Sequence, residues 1–229
     1  CDVDISYISR ISDDELNRFQ LPVTIMGYRK RAHRGGEAYK LGGTVFKHIR
    51  GQEVRLVNVG PADRVKRGLP GYPICTVCGG TRSPYSSDAE IEHFKKIHKE
   101  RCGKEPDGIA LTADTKVDAF VFGGFQTIDD AVNFGEAIRL GASRHLEMDS
   151  EDLQILVFPE DTGAFELFLY DPMPGGSGLL GQIIENWKSI SDAASEILSS
   201  CINACEKSCY GCMRTYRNIF YHPVLDRGK

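Results

Sequence analysis

Cys201-Ile-Asn-Ala-Cys205-Glu-Lys-Ser-Cys209-Tyr-Gly-Cys212 packs four cysteines into twelve residues, and its reading decides the fold. Steps of four, four and three would put every thiol on one face of an unbroken helix, spread over roughly 16 Å of axis. Thiolates that far apart cannot share one tetrahedral zinc with Zn–S bonds of about 2.3 Å. The helix is therefore expected to end inside the cluster, near Asn203 to Ser208. Cys209-Tyr-Gly-Cys212 would then fold back as a knuckle, with Gly211 allowing the turn. Buried or disulfide-paired cysteines are the bland alternative; a closed zinc site accounts for the spacing better.

Upstream, Leu180, Ile183, Ile184, Trp187, Ile190, Ala194 and Leu198 recur at helical spacing from about Gly178 to Ser199, which is the stripe of a helix packed on a core. The turn before it, Asp171-Pro-Met-Pro-Gly-Gly-Ser-Gly178, leads from a strand into that helix. A helix start of this kind favours anions, so Gly176 and Ser177 are candidate phosphate contacts, with Asp171 orienting the turn. No Walker lysine is present, which excludes an ATP site here. Downstream, Asn218, His222, Asp226 and Arg227 are expected to clasp the zinc domain against its neighbour, and Arg214 and Arg217 are candidate phosphate contacts.

Taken together, Tyr170-Asp-Pro-Met-Pro-Gly-Gly-Ser-Gly178, Cys-x3-Cys-x3-Cys-x2-Cys, Tyr216-Arg-Asn218 and His222-Pro-Val-Leu-Asp-Arg227 resemble the MrfA-type zinc-binding domain. That domain lies near the C-terminus of certain superfamily 2 DEAD/DEAH-box DNA helicases of repair and of DISARM-type phage defence. The resemblance covers roughly 117–227. It implies a zinc-binding module attached to a helicase motor, and a structural role for the residues after the last cysteine.

A second group lies at Cys75-Thr-Val-Cys78-Gly-Gly and at the end of a helix expected from about Ser87 to Arg101, in His98-Lys-Glu-Arg-Cys102-Gly. His98 and Cys102 are four apart and share a face. His93 falls on the opposite face. Cys75, Cys78, His98 and Cys102 are therefore expected to hold a second zinc, and Gly103 to end the helix. Reduced core cysteines with a surface His98 are the alternative; a redox CxxC lacks its βαβ setting. Both sites have four protein ligands and are closed, hence structural. The cofactor expectation is zinc, two per chain.

Charge is unevenly placed. The chain carries −4 overall, yet residues 29–67 hold eleven Lys and Arg against three acids, a net +8, while 147–166 holds seven acids and no Lys or Arg. The basic stretch points to nucleic acid. Its candidate contacts are Arg29, Lys30, Arg31, Arg34, Lys47, Arg64, Lys66 and Arg67, with Arg55 on the same sheet surface and Tyr28, Tyr39 and Phe46 as stacking platforms. A solvated sheet face is the plain alternative. Seven of the eight cysteines sit in metal-ligand groupings, which favours a reducing, cytoplasmic setting. No apolar run reaches a membrane span and no signal peptide is evident. The chain starts at Cys1 without an initiator Met and reads as an excised piece of a larger protein.

Strands are expected at Val23–Tyr28, Gly43–His48, Glu53–Asn58, Lys116–Gly123, Leu153–Phe158 and Ala164–Tyr170, with a helix from about Thr127 to Met148 whose apolar face includes Ile128, Val132 and Leu140. The last three strands would form a three-stranded, largely antiparallel sheet covered by two helices. The fold class is α+β: small, largely antiparallel sheets with packed helices, stabilised by two structural zincs. Three parts are drawn: residues 1–20, a lead-in helix from a preceding motor domain, capped by Ser12-Asp-Asp-Glu15; 21–110, a basic β-rich subdomain with the CCHC site; and 111–229, the four-cysteine domain.

No GxSxG, HExxH or kinase signature is present, so this piece is expected to have no catalytic residues. The functional expectation is a DNA-contacting accessory module of an ATP-dependent DNA helicase of repair or phage defence. Its partners would be single-stranded or forked DNA and the parent's motor domains, with no membrane. The alternative is a docking module that recruits a protein partner subunit.

Overall fold

The computed structural model describes residues 23–29, 35–61, 68–215, 218 and 221–228. The expected lead-in helix at 1–20 lies outside them. The chain divides into two compact units, residues 1–28 with 55–114, and residues 29–54 with 115–229. The strand expected at Gly43–His48 thus falls in the unit that holds the four cysteines, and the one expected at Glu53–Asn58 spans the division after Val54.

β2 (Glu37–Leu41), in the larger unit, turns directly into β3 (Thr44–Pro61), with Leu41 opposite Thr44; β3 belongs to the larger unit as far as Val54 and to the smaller from Arg55. Gly42 and Gly43 carry φ of 55° and 87°, the pair of left-handed residues that a tight hairpin requires. β3 is one strand of 18 residues, where the sequence suggested two separated by a turn at Gly51. Gly51 does adopt φ 64°, but its N–H is held by the Asp118 carboxylate at 2.8 Å, so the chain continues instead of reversing. β6 (Leu111–Phe125) pairs antiparallel with β8 (Phe165–Asp171), and β8 with β7 (Gln154–Pro159). The order is β1-β3-β6-β8-β7, where β1 is Val23–Arg29 and β2 also pairs with β3. The expected antiparallel trio is therefore present, but inside a six-stranded sheet.

Two helical layers cover one face. α2 (Ile128–Leu146) starts at Thr127, whose hydroxyl accepts the Asp130 N–H at 3.1 Å. Its buried face is Ala131, Val132, Ile138 and Ala142; Ile128, expected on that face, is half exposed because it stands in the first turn beside the cap. The expected long helix is two, α3 (Leu179–Glu185) and α4 (Trp187–Ser199), broken at Asn186 with φ −108° and ψ 16°. The break keeps Leu180, Ile183, Trp187, Ile190 and Ala194 buried together. Gly141 lets α2 and α4 approach closely, since a Cβ there would stand 2.6 Å from the Ile190 carbonyl oxygen.

Phe46 lies at the centre of this core. Its ring is 4.9 Å from Trp187, 4.8 Å from Phe120 and 5.0 Å from Phe122, and Tyr39 stacks on it at 5.5 Å. Burying each such ring stabilises by about 1.5–3 kcal/mol. Phe46 and Tyr39 are thus packing residues, not the base-stacking platforms suggested by the sequence. The side chain of Tyr28 lies outside the described residues.

The smaller unit contains β4 (Tyr72–Ile74) paired with β5 (Asp107–Ile109), and α1 (Asp88–Cys102). α1 begins at a capping box formed by Ser87 and Glu90 and ends at Gly103 with φ 80°. No helix among the described residues is long and apolar enough to cross a membrane.

Candidate metal centres and the surfaces around them

α4 stops before the cysteines. Ser200 N–H closes the last turn on the Glu196 carbonyl at 2.9 Å, so the helix ends at Ser199 rather than within the cluster, and the four thiols all come from turns. The first turn runs from Cys201 to Cys205, with Ala204 N–H on the Cys201 carbonyl at 2.9 Å and Ala204 at φ 46°. The second runs from Cys209 to Cys212, with Cys212 N–H on the Cys209 carbonyl at 3.1 Å. Gly211 is favoured by close approach rather than by its own φ: a Cβ there would stand 2.6 Å from Asn203 Nδ2, so that side chain would have to shift.

Sulfur separations are 3.5 Å for Cys201–Cys205, 3.4 Å for Cys201–Cys209, 3.6 Å for Cys205–Cys212 and 3.9 Å for Cys209–Cys212. A tetrahedron with Zn–S bonds of about 2.3 Å has edges of about 3.8 Å, so the four sulfurs fit one zinc. Electrostatics assist. The Cys205 and Asn203 backbone N–H groups bring the Cys201 thiol down to about 6. The Asn203 amide and the Gly211 N–H lower Cys209. Cys205 is pushed up to about 12 by burial and by the surrounding thiols, a tendency that a cation at the centre reverses.

In the second cluster, Cys75, Cys78, His98 and Cys102 have ligand atoms all within 4.8 Å of one another. Cys75 N–H bonds the Gly80 carbonyl and Gly79 N–H the Cys75 carbonyl, both at 2.8 Å. The Cys78 and Val77 N–H groups lower the Cys75 thiol to about 6. Cys78 Sγ is 3.4 Å from His98 Nε2, and Cys75 Sγ is 3.9 Å from Cys102 Sγ. Cys102 is raised by its hydrogen bond with Cys78 and by burial. His93 is exposed and outside the group. Among the described residues, these two clusters are the groups able to hold zinc, each with four candidate ligands.

The segment after the last cysteine is fixed to α2 within the same unit. Asn218 Nδ2 donates to the Glu136 carboxylate at 2.8 Å and to the Met213 carbonyl at 2.9 Å. Glu136 also pairs with Arg139 at 2.6 Å, both nearly fully buried. Asn133 donates to the Val224 carbonyl and accepts the Asp226 N–H. His222 Nε2 lies 2.9 Å from the Thr215 carbonyl oxygen, and Arg227 N–H bonds the Lys207 carbonyl at 3.0 Å. These bonds join the zinc turns to α2 inside one unit, where the sequence suggested a clasp of the zinc domain against its neighbour. Glu136 and Arg139 carry no sequence signal of this role, because they look like ordinary helix-surface charges.

The basic candidates divide. Lys47 is exposed. The side chain of Arg29, together with Lys30, Arg31, Arg34, Arg64, Lys66, Arg67 and Arg217, lies outside the described residues. Arg55 makes a two-pronged ion pair with Asp114 at 2.8 and 3.0 Å, and Lys116 faces Glu53 at 3.8 Å, which dilutes the expected positive surface. Arg214 is half-buried, its Nε donating to Ser208 Oγ at 2.9 Å. Ser177 gives both its N–H and its hydroxyl to the buried Asp171 carboxylate, and Asp118 Oδ2 stands 2.9 Å from where a Gly176 Cβ would be. Two carboxylates thus face the glycine turn, and the helix after it has only seven residues. The turn locks a strand to a helix, with the Ser177 donors already taken by Asp171. In the acidic segment, Asp149 and Asp152 cap the short 3-10 turn Ser150–Asp152, and Glu160 accepts the Gly124 N–H at 2.9 Å.

Residues 134–213 match the MrfA Zn-binding domain family, a segment that includes the glycine turn and the four cysteines of the resemblance and ends before 216–218 and 222–227. Among curated proteins, the chain is 28% identical over 215 residues to Druantia protein DruE of Escherichia coli (strain UMEA 4076-1), covering 80% of this chain and 11% of that protein. The chain thus spans about a tenth of that relative's length. Solved structures with similarity are those of the DUF1998 helicase MrfA. The DNA-bound crystal structure matches with a TM-score of 0.45 at 14% identity, over 86% of this chain and 23% of that one. A second crystal structure of the same helicase matches with a TM-score of 0.42 at 13% identity, over 87% and 23%.

Proposed function

We propose that this chain is a zinc-stiffened accessory module of a larger ATP-dependent DNA helicase of repair or phage defence, and that it contacts single-stranded or forked DNA in the cytoplasm. The observation that carries the reading is the MrfA Zn-binding match over 134–213 on a cluster whose four sulfurs fit a closed zinc site. Cys201, Cys205, Cys209 and Cys212 ligate one zinc, and Cys75, Cys78, His98 and Cys102 the other. A zinc with four protein ligands has no position for substrate or water, so the metals fix shape, and the chemistry of ATP hydrolysis belongs to the parent's motor domains. Arg29, Lys30, Arg31, Arg34, Lys47, Arg64, Lys66, Arg67, Arg214 and Arg217 supply phosphate contacts; Gly176 and Ser177 are set aside because Asp171 occupies the Ser177 donors.

The test is fluorescence anisotropy of the zinc-loaded chain on labelled single-stranded and duplex DNA, from low to near-physiological salt. Expected is binding whose affinity falls with a log–log slope of about −0.7 per phosphate contacted on single strands, and no ATP hydrolysis above background. Absence of binding even at low salt, or ATPase activity in this chain alone, overturns the reading.

A further inference from the structure

The two turns that hold the first zinc site each present a bare apolar side chain. Ile202, in the first, is 90% exposed, and Tyr210, in the second, is 65% exposed. Nothing in the core needs either: the residues of this segment that do pack inward are Met213 and Leu225, both essentially buried. Ile202 and the second turn are in contact, because a Cβ on Gly211 would stand 3.1 Å from Ile202 Cγ2. The Tyr210 ring is steadied edge-on by His222, with centroids 5.4 Å apart and planes at 84°. Ile202 and Tyr210 therefore flank Gly211 on a base fixed by four thiols, so ordering them on contact costs little conformational entropy.

In a chain that is −4 overall, the described charged residues on and next to the two turns are Glu206, Lys207 and Arg214, a net +1. Lys207 is exposed between the two turns. Arg214 follows the second, its backbone N–H on the Cys209 carbonyl at 3.0 Å and its Nε on Ser208. An exposed aromatic ring with an aliphatic neighbour and flanking cations is the pattern that takes unpaired bases while tracking a backbone. In duplex DNA the base faces are already stacked.

We propose that Tyr210 and Ile202, at the tip of the four-cysteine zinc site, form a stacking platform for unpaired bases of single-stranded DNA, with Lys207 and Arg214 on the adjacent phosphates. The inference rests on the DNA-binding reading above and adds the element that distinguishes a single strand from a duplex.

The test compares a labelled oligothymidylate with an abasic-spacer strand of the same length and charge, using the full zinc-loaded chain. Native protein is expected to bind the thymidylate about tenfold more tightly than the abasic strand. Tyr210→Ala removes that preference, Tyr210→Phe keeps it, and Ile202→Ser reduces it, all with two zincs retained and an unchanged salt slope. Equal binding of both strands by native protein, or an equal loss on both strands in Tyr210→Ala, overturns the platform and leaves the tip to a protein partner. Binding of neither strand overturns the DNA-binding reading itself, so the two failures are distinct.

Discussion

Gly80 lies flat against the His98 ring: a Cβ built on Gly80 would stand 2.7 Å from His98 Cε1 and 3.3 Å from Cys78 Sγ. Gly80 has an ordinary backbone conformation, unlike Gly79 at φ 73°, so the requirement is space alone. His98 cannot yield, because moving its ring takes Nε2 away from the three sulfurs. Gly80→Ala should therefore weaken the CCHC zinc by about tenfold or more, an effect of the size seen when residues supporting a metal ligand are changed. Elemental analysis after mild chelation is expected to fall from two zincs to one per chain, whereas Ala at the open Gly181 should leave both.

The clasp between the zinc turns and α2 depends on buried polar groups that satisfy one another. Asn218 supplies a donor to Glu136, and Glu136 neutralises Arg139, whose NH1 also donates to the Ser150 carbonyl at 2.9 Å. Truncating one member leaves the others unsatisfied inside the protein. Asn218→Ala should cost about 1–3 kcal/mol, and Glu136→Ala about 3–5 kcal/mol because a guanidinium is left unpaired in the core. Urea unfolding is the measurement. The double variant should cost less than the sum of the two, since both remove the same contact.

How much of this was legible in the sequence follows from the range of each interaction. Metal ligation leaves a fixed local signature, so the eight candidate ligands that the structure brings into two groups could be chosen from their spacing, and His93 set apart by its helical phase. Alternation located β7, β8 and most of β6. Gly51 misled, because a left-handed glycine reads as a turn unless one knows that Asp118, far away in sequence, holds its N–H. Asn186 was invisible as a break, since the apolar stripe runs through it without losing phase. The glycine turn invited a phosphate because its backbone donors are evident in the sequence; Asp171 was read as orienting the turn and does accept the Met173 and Ser177 N–H groups, whereas the approach of Asp118 to Gly176 is a tertiary fact. Phe46 and Tyr39 looked available for bases because strand alternation does not say which face of a sheet will be covered.

His48 gives the fold a pH dependence. Its ring packs 5.3 Å from Phe120 and 6.4 Å from Tyr39, and its Nε2 is buried without a hydrogen-bond partner among the described residues. Burial, and then the Arg50 charge, lower its pKa from the usual histidine value, against the opposing carboxylates Asp118 and Glu37. A lowered histidine is neutral in the folded state, so its contribution is complete above the unfolded pKa of about 6.5 and is lost as pH falls through that range. The stability difference between wild type and His48→Phe should therefore be flat above pH 7 and shift in favour of the variant as pH drops toward 5. A difference that stays constant with pH would contradict this.

The two zincs should differ in what they hold. Met213 and Leu225 are buried in the main core, and both lie on the chain that leaves the four-cysteine site, which Ser208 Oγ ties to the Leu225 carbonyl at 2.8 Å. Zinc binding there is folding free energy for the larger unit. Cys209→Ser should keep one zinc and destabilise that unit by at least ~4 kcal/mol, equivalent to roughly 8–16 °C in Tm for a chain of this size. Cys75→Ser should also keep one zinc, but its damage should be confined to the short elements of the smaller unit, β4, β5 and α1. Hydrogen exchange separates the cases: Cys209→Ser should lose protection in α2 and α4, and Cys75→Ser only in β4, β5 and α1. Loss of protection in α2 on Cys75→Ser would mean that the second zinc also supports the main sheet.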